Sequence, residues 1–142
     1  MTPSIDIQLL VLFRRTKQRL QAIAERHSLT FPQFIALSRV YRDGPMPMSD
    51  LTSRLGVTRG ALTGLVDRLE EAGLMTRTPD EHDRRVTRLS LTPHARTIMA
   101  TVEHDWRHEV QHWLSALDDE TQNALSHGLN ALLEAELPHV PQ

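Results

Sequence analysis

The sequence contains no cysteine. This absence excludes disulfide bonds, thiolate metal sites and thiol-based redox sensing, and it is compatible with the cytoplasm. A long hydrophobic run is also missing, because the longest one, residues 9–13, is far too short to cross a bilayer. The N-terminal segment MTPSIDIQLL has neither a basic region nor a cleavage site, so we expect no secretory signal. These absences predict a cytoplasmic protein without a membrane partner.

Sequence motifs of catalysis are missing as well. No serine lies in a nucleophile elbow, and neither a glycine-rich phosphate loop nor an H-E-x-x-H motif occurs. We therefore expect neither an enzyme nor a cofactor. The composition, with 39% hydrophobic and 24% charged residues, is that of an ordinary globular protein.

Charge is unevenly distributed along the chain, although the formal net charge is only −2. Residues 1–92 contain 14 Lys and Arg against 10 Asp and Glu, whereas residues 93–142 contain 2 against 8. A basic front and an acidic back fit a protein that presents one face to a polyanion. Uneven surface charge without a binding role is the alternative.

Hydrophobic periodicity predicts a mostly helical chain with a single hairpin. The hairpin strands are the alternating segments at residues 75–79 and 86–91, which place Leu89 and Leu91 on one face. The segment GPMPM before the third helix is predicted as an extended break, because each proline steers its predecessor away from helix. The predicted helices cover roughly residues 5–26, 31–43, 51–55, 59–72, 93–117 and 120–137, the last capped by Asp119.

Two of these helices form a helix-turn-helix, because only a short turn containing Gly56 separates them. The outer face of the second helix is unusually small. Each glycine inside a helix costs about 1 kcal/mol relative to alanine, yet Gly60 and Gly64 both occur there. Small residues allow close approach to another surface, and the N–H groups of a helix N-terminus attract phosphate. Tight packing on another protein helix is the alternative use of these glycines.

Polar side chains around this face can bond to phosphates or to base edges. The candidate DNA-binding residues of the second helix are Thr58, Arg59, Gly60, Ala61, Thr63, Gly64 and Arg68.

The tip of the hairpin is the segment DEHDRR at residues 80–85, which crowds three acids, a histidine and two arginines together. A hairpin after a helix-turn-helix can act as a wing, and arginines at its tip fit the negative potential of a narrow minor groove. Asp83 could orient the Arg85 guanidinium through a bidentate pair. A solvated turn with weak local ion pairs is the alternative.

The order of these motifs resembles the MarR family of transcription regulators. Asp83-Arg84-Arg85, five further residues and Leu91-Thr92 match the family's D-x-R-x5-L-T wing signature. TRGALTGLVDRLEEAGLMTR looks like its recognition helix and first wing strand, and LTFPQFIAL is similar to its second helix. The resemblance implies a mainly α fold with a small β-hairpin wing, in which a winged helix-turn-helix is joined to a helical dimerisation region.

The resemblance also implies an organisation and a function. The whole chain, residues 1–142, is then one domain, with a DNA-binding lobe at residues 31–92 and dimerisation helices at residues 1–30 and 93–142. It implies a homodimer that binds palindromic double-stranded DNA, more plausibly as a repressor than as an activator. Arg85 then enters the minor groove and Asp83 positions it. Arg84 and Arg88 contact phosphates or merely keep the wing solvated.

The residues themselves also predict a second subunit. The long helix after the hairpin carries an apolar stripe, and the last helix adds a row of leucines. Burying two tryptophans with so little sheet left to cover them most simply needs a partner. The stripe consists of Val102, Trp106, Val110, Trp113 and Leu117.

A small-molecule effector is a further implication of the resemblance, which places a pocket for aromatic or anionic compounds between the dimer helices and the winged lobe. Ordinary core packing is the alternative for each aromatic residue proposed there. The candidate ligand-binding residues are Phe13, Lys17, Phe34 and Tyr41.

Two other functions stay open at the level of sequence. Residues 49–92 contain seven basic and seven acidic residues, a balance that also fits a winged-helix protein adaptor without DNA binding. A metal-responsive regulator would use four histidines on one helical face, since imidazoles four residues apart can share zinc. No carboxylate or cysteine completes an obvious set, so we predict no metal site. The histidines are His94, His104, His108 and His112.

Overall fold

The computed structural model describes residues 1–135, which form six helices and three short strands. The fold is mainly α with a small antiparallel sheet, as the sequence predicts. None of the described helices is both long enough and apolar enough to cross a membrane. The helices are α1 (Ile5–Arg26), α2 (Phe31–Asp43), α3 (Met48–Leu55), α4 (Arg59–Glu71), α5 (Pro93–Leu114) and α6 (Asp119–Glu134), and the strands are β1 (Met46–Pro47), β2 (Met75–Pro79) and β3 (Thr87–Leu91).

Local capping residues set most of these boundaries. The Thr30 hydroxyl accepts a hydrogen bond from the Gln33 N–H (3.3 Å), and the Gln33 side chain accepts one from the Thr30 N–H (2.9 Å). The predicted capping box at the start of α2 is therefore present. Gly56 ends α3 at φ 62°, ψ 33°, a left-handed conformation that glycine adopts without steric cost. The prediction of a helix-turn-helix from α3 to α4 is confirmed.

Three boundaries differ from the prediction. The α3 helix begins at Met48 and not at Leu51, and two boundaries in the C-terminal part also differ. α5 ends at Leu114, and the cap of α6 is Asp118 instead of Asp119, because the Asp118 carboxylate accepts the Thr121 N–H at 2.8 Å. Gln122 donates to the carbonyls of Leu114 and Leu117 at 2.9 and 3.1 Å. A residue of α6 thus satisfies carbonyls near the end of α5, a tertiary contact that periodicity does not reveal. Leu137, which we assigned to the last helix, lies outside the described residues.

The sheet has a strand that the sequence analysis missed. Its order is β1-β3-β2, and all pairs are antiparallel. Met46 pairs with Leu89 and Pro47 with Arg88, so the predicted extended break is a short edge strand beside the hairpin. Two residues are too few for any period to show. The edge strand places residues 88 and 89 of β3 between two neighbouring strands.

The described chain separates into two compact units within α5, residues 1–103 and residues from 104 onward. Among residues 1–135, every buried hydrophobic residue lies in the first unit, where α1 packs on α2 and the helix-turn-helix packs on the sheet. This division reflects how compactly each part is packed. The predicted lobes instead separate DNA binding, at residues 31–92, from dimerisation, at residues 1–30 and 93–142, and they stay a prediction. The largest fully buried side chains are Ile23, Leu37, Val40, Leu51, Leu62, Val66, Leu69, Met75 and Leu89.

Candidate nucleic-acid interface

The α4 helix presents an apolar inner face and an open outer face. Leu62, Leu65, Val66 and Leu69 are at most 9% exposed. A Cβ atom added to Gly60 or to Gly64 would meet no neighbouring atom within 4 Å among the described residues, the helix's own backbone left aside. Packing against another helix of this chain therefore does not explain the two glycines. The open space in front of them is what close approach to a ligand surface requires.

The first turn of α4 is fixed by its N-cap. The Thr58 hydroxyl accepts the Ala61 N–H at 3.2 Å, so this N–H is occupied, while the Arg59 and Gly60 N–H groups have no carbonyl inside the helix to bond. The Thr63 hydroxyl donates to the Arg59 carbonyl at 2.8 Å. This turn thus offers two backbone donors and the exposed Arg59 side chain to an anion.

Arg77 on β2 contacts α4 and was missed by the sequence analysis. Its guanidinium lies 2.6 Å from the Asp67 carboxylate and 3.2 Å from the Glu70 carboxylate, and it donates to the Thr63 carbonyl at 3.3 Å. The hydrogen bond to Asp67 is the main reason why the pKa of Arg77 is raised above its ordinary value. The strand alternation of MTRTP, which places Arg77 on the same side as the buried Met75, is the signal that could have found it.

The wing tip contains the predicted bidentate pair. The Arg85 Nε and Nη2 atoms lie 3.1 and 3.2 Å from the two Asp83 carboxylate oxygens, and the Arg85 N–H donates to Asp83 at 3.1 Å. The Arg85 side chain is nevertheless 92% exposed. These hydrogen bonds lower the pKa of Asp83 below its usual 3.8, and the bonds from the Arg85 side chain contribute most. A charged guanidinium is therefore held in one orientation at an exposed position.

Asp80 organises the turn beneath that tip. One of its oxygens accepts the N–H groups of His82 and Asp83 at 2.9 and 3.1 Å, and the other accepts Arg88 at 3.4 Å. The bond from the His82 N–H is the largest cause of the lowered pKa of Asp80. Arg88 also donates to the Pro45 carbonyl at 3.1 Å. Arg88 thus ties the wing to the segment before β1.

Three of the predicted arginines differ from Arg85 and Arg88, which are held by ion pairs. Arg59, Arg68 and Arg84 are exposed, and no ion pair holds them within residues 1–135. Their guanidinium groups are available to a partner.

The predicted ligand-binding residues are brought together only in part. The Lys17 ammonium lies 5.5 Å from the centre of the Phe31 ring, which in turn lies 5.9 Å from the Phe34 ring. Phe34 belongs to the core and Phe13 is 66% exposed, while Tyr41 is partly buried. Phe31 is the residue that the prediction overlooked, although its spacing of three from Phe34 places both on one side of α2.

The histidine face of α5 is exposed at all four of its positions, His94, His104, His108 and His112. His104 lies 3.6 Å from Asp105. In the part of the chain that the structure describes, no group of three or more His, Asp or Glu side chains is placed to hold a metal ion. No geometric support therefore exists here for a metal-responsive regulator.

Comparison with known proteins agrees with the helix-turn-helix and wing described above. A model of the MarR family matches residues 29–87. The chain is 30% identical over 107 residues to the HTH-type transcriptional regulator YfiV of Bacillus subtilis, covering 75% of this chain and 67% of that one. It is 33% identical to the HTH-type transcriptional repressor MdtR of the same organism over 62% of this chain and 57% of that one.

The solved structures add a likeness that covers nearly all of the fold. A MarR family protein from Bacillus stearothermophilus superposes with a TM-score of 0.86 at 27% identity, over 92% of this chain and 91% of that one. The relatives are transcriptional regulators, a class without catalytic activity. With its helix-turn-helix, its wing and these likenesses, the chain belongs to the MarR family of winged helix-turn-helix transcriptional regulators.

Proposed function

We propose that this protein regulates transcription by binding a palindromic operator as a homodimer. The observation that carries the proposal is the Asp83–Arg85 pair, which holds a fully charged and exposed guanidinium at the tip of a wing. An arginine held by a bidentate pair keeps its orientation without losing its positive charge. Such a group is suited to a narrow minor groove, where the potential is most negative.

The α4 helix supplies the second contact in this proposal. Its open glycine face lets the backbone approach the major groove, while Thr58, Arg59 and Thr63 can bond to phosphates or base edges. The Ala61 side chain is exposed and small, and it adds an apolar contact. Arg68 and Arg84 contact phosphates. We assign Arg88 to holding the wing, because its guanidinium bonds to Asp80 and to the Pro45 carbonyl.

Homodimerisation is supported by apolar surface that residues 1–135 leave uncovered. The α6 helix buries no residue, and the exposed fractions of its leucines are 41% to 79%. Large apolar residues that are exposed in a row along one helix are typical of an interaction site. A two-fold dimer would set the two α4 helices roughly 34 Å apart, one turn of DNA. The exposed apolar residues are Leu125, Leu129, Leu132 and Leu133 of α6 and Ile5, Ile7, Leu9, Leu10, Leu12 and Phe13 of α1.

Repression and release by an effector complete the proposal. One relative, MdtR, is named a repressor. An aromatic or anionic compound would use the Lys17 ammonium and the Phe31 ring, which already contact each other. The dimer would exist in two states, with different distances between its two α4 helices. Such a ligand changes DNA affinity only if it binds one of these states more tightly than the other. We also propose a cytoplasmic location, because a regulator of this kind acts at the chromosome.

Selection from random duplexes tests DNA binding and identifies the operator sequence in the same experiment. The enriched duplex and a scrambled control of equal composition are then titrated by fluorescence anisotropy in a salt series. We expect a palindrome, binding that is selective and falls steeply with salt, and one dimer per duplex by light scattering. If nothing is enriched and all duplexes bind equally weakly, the proposal is wrong and a protein adaptor takes its place.

Effector release needs a separate measurement. A panel of simple phenols and aromatic carboxylates is added to the protein bound to the enriched duplex, with Lys17→Met as the matched variant. We expect at least one compound to release DNA, and we expect a carboxylate to act less well on Lys17→Met. If no compound releases the DNA, the protein is a regulator without this kind of ligand.

A further inference from the structure

An acidic side chain lies on the face of α4 that this proposal turns toward DNA. Asp67 follows Gly60, Thr63 and Gly64 at helical spacing, so all four share the outer face. The Asp67 side chain is 53% exposed. Glu70 lies two turns after Thr63 and is 46% exposed. Uncompensated carboxylates at these positions would repel the phosphates that the first turn of the helix attracts.

Arg77 compensates both of these charges. It reaches α4 from β2, with its guanidinium 2.6 Å from Asp67 and 3.2 Å from Glu70. The Arg77 side chain is only 23% exposed, less than either partner. It also donates to the carbonyl of Thr63, which lies between Gly60 and Gly64 in the helix. The positive charge thus lies behind the acids and leaves the outer face open.

We propose that Arg77 is a positioning residue for DNA binding that fixes α4 against the wing sheet and masks the charges of Asp67 and Glu70. This inference rests on the proposed function. Arg77 lies outside the predicted contact surface, and its effect on DNA affinity acts through Asp67 and Glu70. The strand that carries Arg77 is also the first strand of the wing, so one side chain links the two elements that contact DNA.

Charge masking and simple mechanical support have different consequences. Repulsion by an unmasked carboxylate is screened by salt, whereas misplacement of a helix is not. Neutralising the acid should therefore restore binding only if repulsion is the cause. Because the two side chains are in contact, their substitutions should be strongly non-additive.

The test is a double-mutant cycle of Arg77→Met and Asp67→Asn, measured by anisotropy on the duplex that the wild-type protein enriches. We expect Arg77→Met to bind about tenfold more weakly at about 0.1 M salt and to lie within about threefold of wild type at about 0.4 M. The double variant should recover to within about threefold of wild type at the lower salt concentration. Asp67→Asn alone should bind as tightly as wild type, since asparagine still accepts a hydrogen bond from Arg77.

The control uses the pair Arg54–Asp43, which has the same 2.6 Å separation but joins α3 to α2 and does not involve a residue of α4. Any weakening in Arg54→Met should not be relieved by Asp67→Asn. Thermal melting checks that each variant is folded, and Arg77→Lys, which keeps the charge, replaces Arg77→Met if that variant fails to fold. In that case Arg77→Lys should bind within about threefold of wild type at both salt concentrations.

Several outcomes would overturn the inference. One is a tenfold loss in Arg77→Met that persists at high salt and is not relieved by Asp67→Asn. Weaker binding by Asp67→Asn alone, with an altered base preference, would mean that Asp67 reads DNA directly. If the wild-type protein binds selectively and Arg77→Met binds equally well, the inference fails while the proposed function stands. If the wild-type protein enriches no duplex, the proposed function fails first, and this inference fails with it.

Discussion

At the scale of single residues, the Asp83 carboxylate determines where the charge of the wing tip lies. It receives the Arg85 side chain at both oxygens and the Arg85 N–H at one of them. An exposed ion pair contributes little to folding, so this arrangement is better understood as orientation. The pair was predictable because both partners lie within three residues. For Arg77, strand alternation indicates only the side of β2 on which it lies, because its partners are seven to fourteen residues away.

The titration of Asp83 tests this pairing. Because the folded pKa is depressed, the pair is complete above the usual value of 3.8 and is lost as the pH falls through the lower folded value. We expect Arg85→Met to raise the pKa of Asp83 toward 3.8, measured from carboxyl carbon shifts by NMR. Asp80 serves as the internal control, since backbone N–H groups are the main cause of its lowered pKa. An Asp83 pKa that does not change in Arg85→Met would contradict the pairing.

At the scale of elements, local chemistry made the starts of α2 and α4 predictable, whereas tertiary contacts decided β1 and the end of α5. The capping box at Thr30 and the N-cap at Thr58 follow from residues three positions apart. The strand β1 exists because β3 lies beside it, and the end of α5 is covered by Gln122 of α6. Neither partner is visible in the local pattern. The same limit applies to Phe31, whose role depends on the Lys17 side chain of another helix.

The glycine face of α4 gives the prediction at this scale. We expect Gly64→Ala to increase the free energy of unfolding by up to about 1 kcal/mol, because helix propensity improves and no neighbouring atom within 4 Å opposes the new methyl group. The same substitution should weaken binding to the enriched duplex at least tenfold, since it obstructs the approach of the backbone. Urea unfolding and anisotropy measure the two effects. Unchanged DNA affinity would remove the glycine face from the interface.

At the scale of the whole molecule, the apolar residues of α1 and α6 stay exposed in a single chain, as far as residues 1–135 show. The leucine row of α6 and the tryptophan stripe of α5 are both predictable from helical spacing. Trp106 and Trp113 lie edge to face at 5.6 Å, and Trp113 donates to Glu109 at 3.0 Å. Both rings remain only partly buried. The structure of one copy of the chain does not identify the partner that covers the apolar surfaces of α1, α5 and α6.

Dimer formation is the prediction at this scale. We expect wild-type protein to elute as a dimer by light scattering at micromolar concentration. The double variant Leu129→Glu with Leu132→Glu should be monomeric and should lose DNA binding, because two charges would enter the apolar surface. His127→Glu, on the opposite side of α6, is the matched control and should remain dimeric. A monomeric wild-type protein would contradict the proposed dimer.

The most direct test of the central claim is the affinity of Arg85→Ala for the enriched duplex, beside wild type and Arg84→Ala. We predict that Arg85→Ala loses about 1–3 kcal/mol, or roughly 5- to 150-fold, while the folded protein is equally stable. Arg84→Ala should lose less, and by a similar factor on every duplex, as expected for a phosphate contact. If Arg85→Ala binds the duplex as tightly as wild type, the wing does not contact DNA in the proposed way and the central claim is wrong.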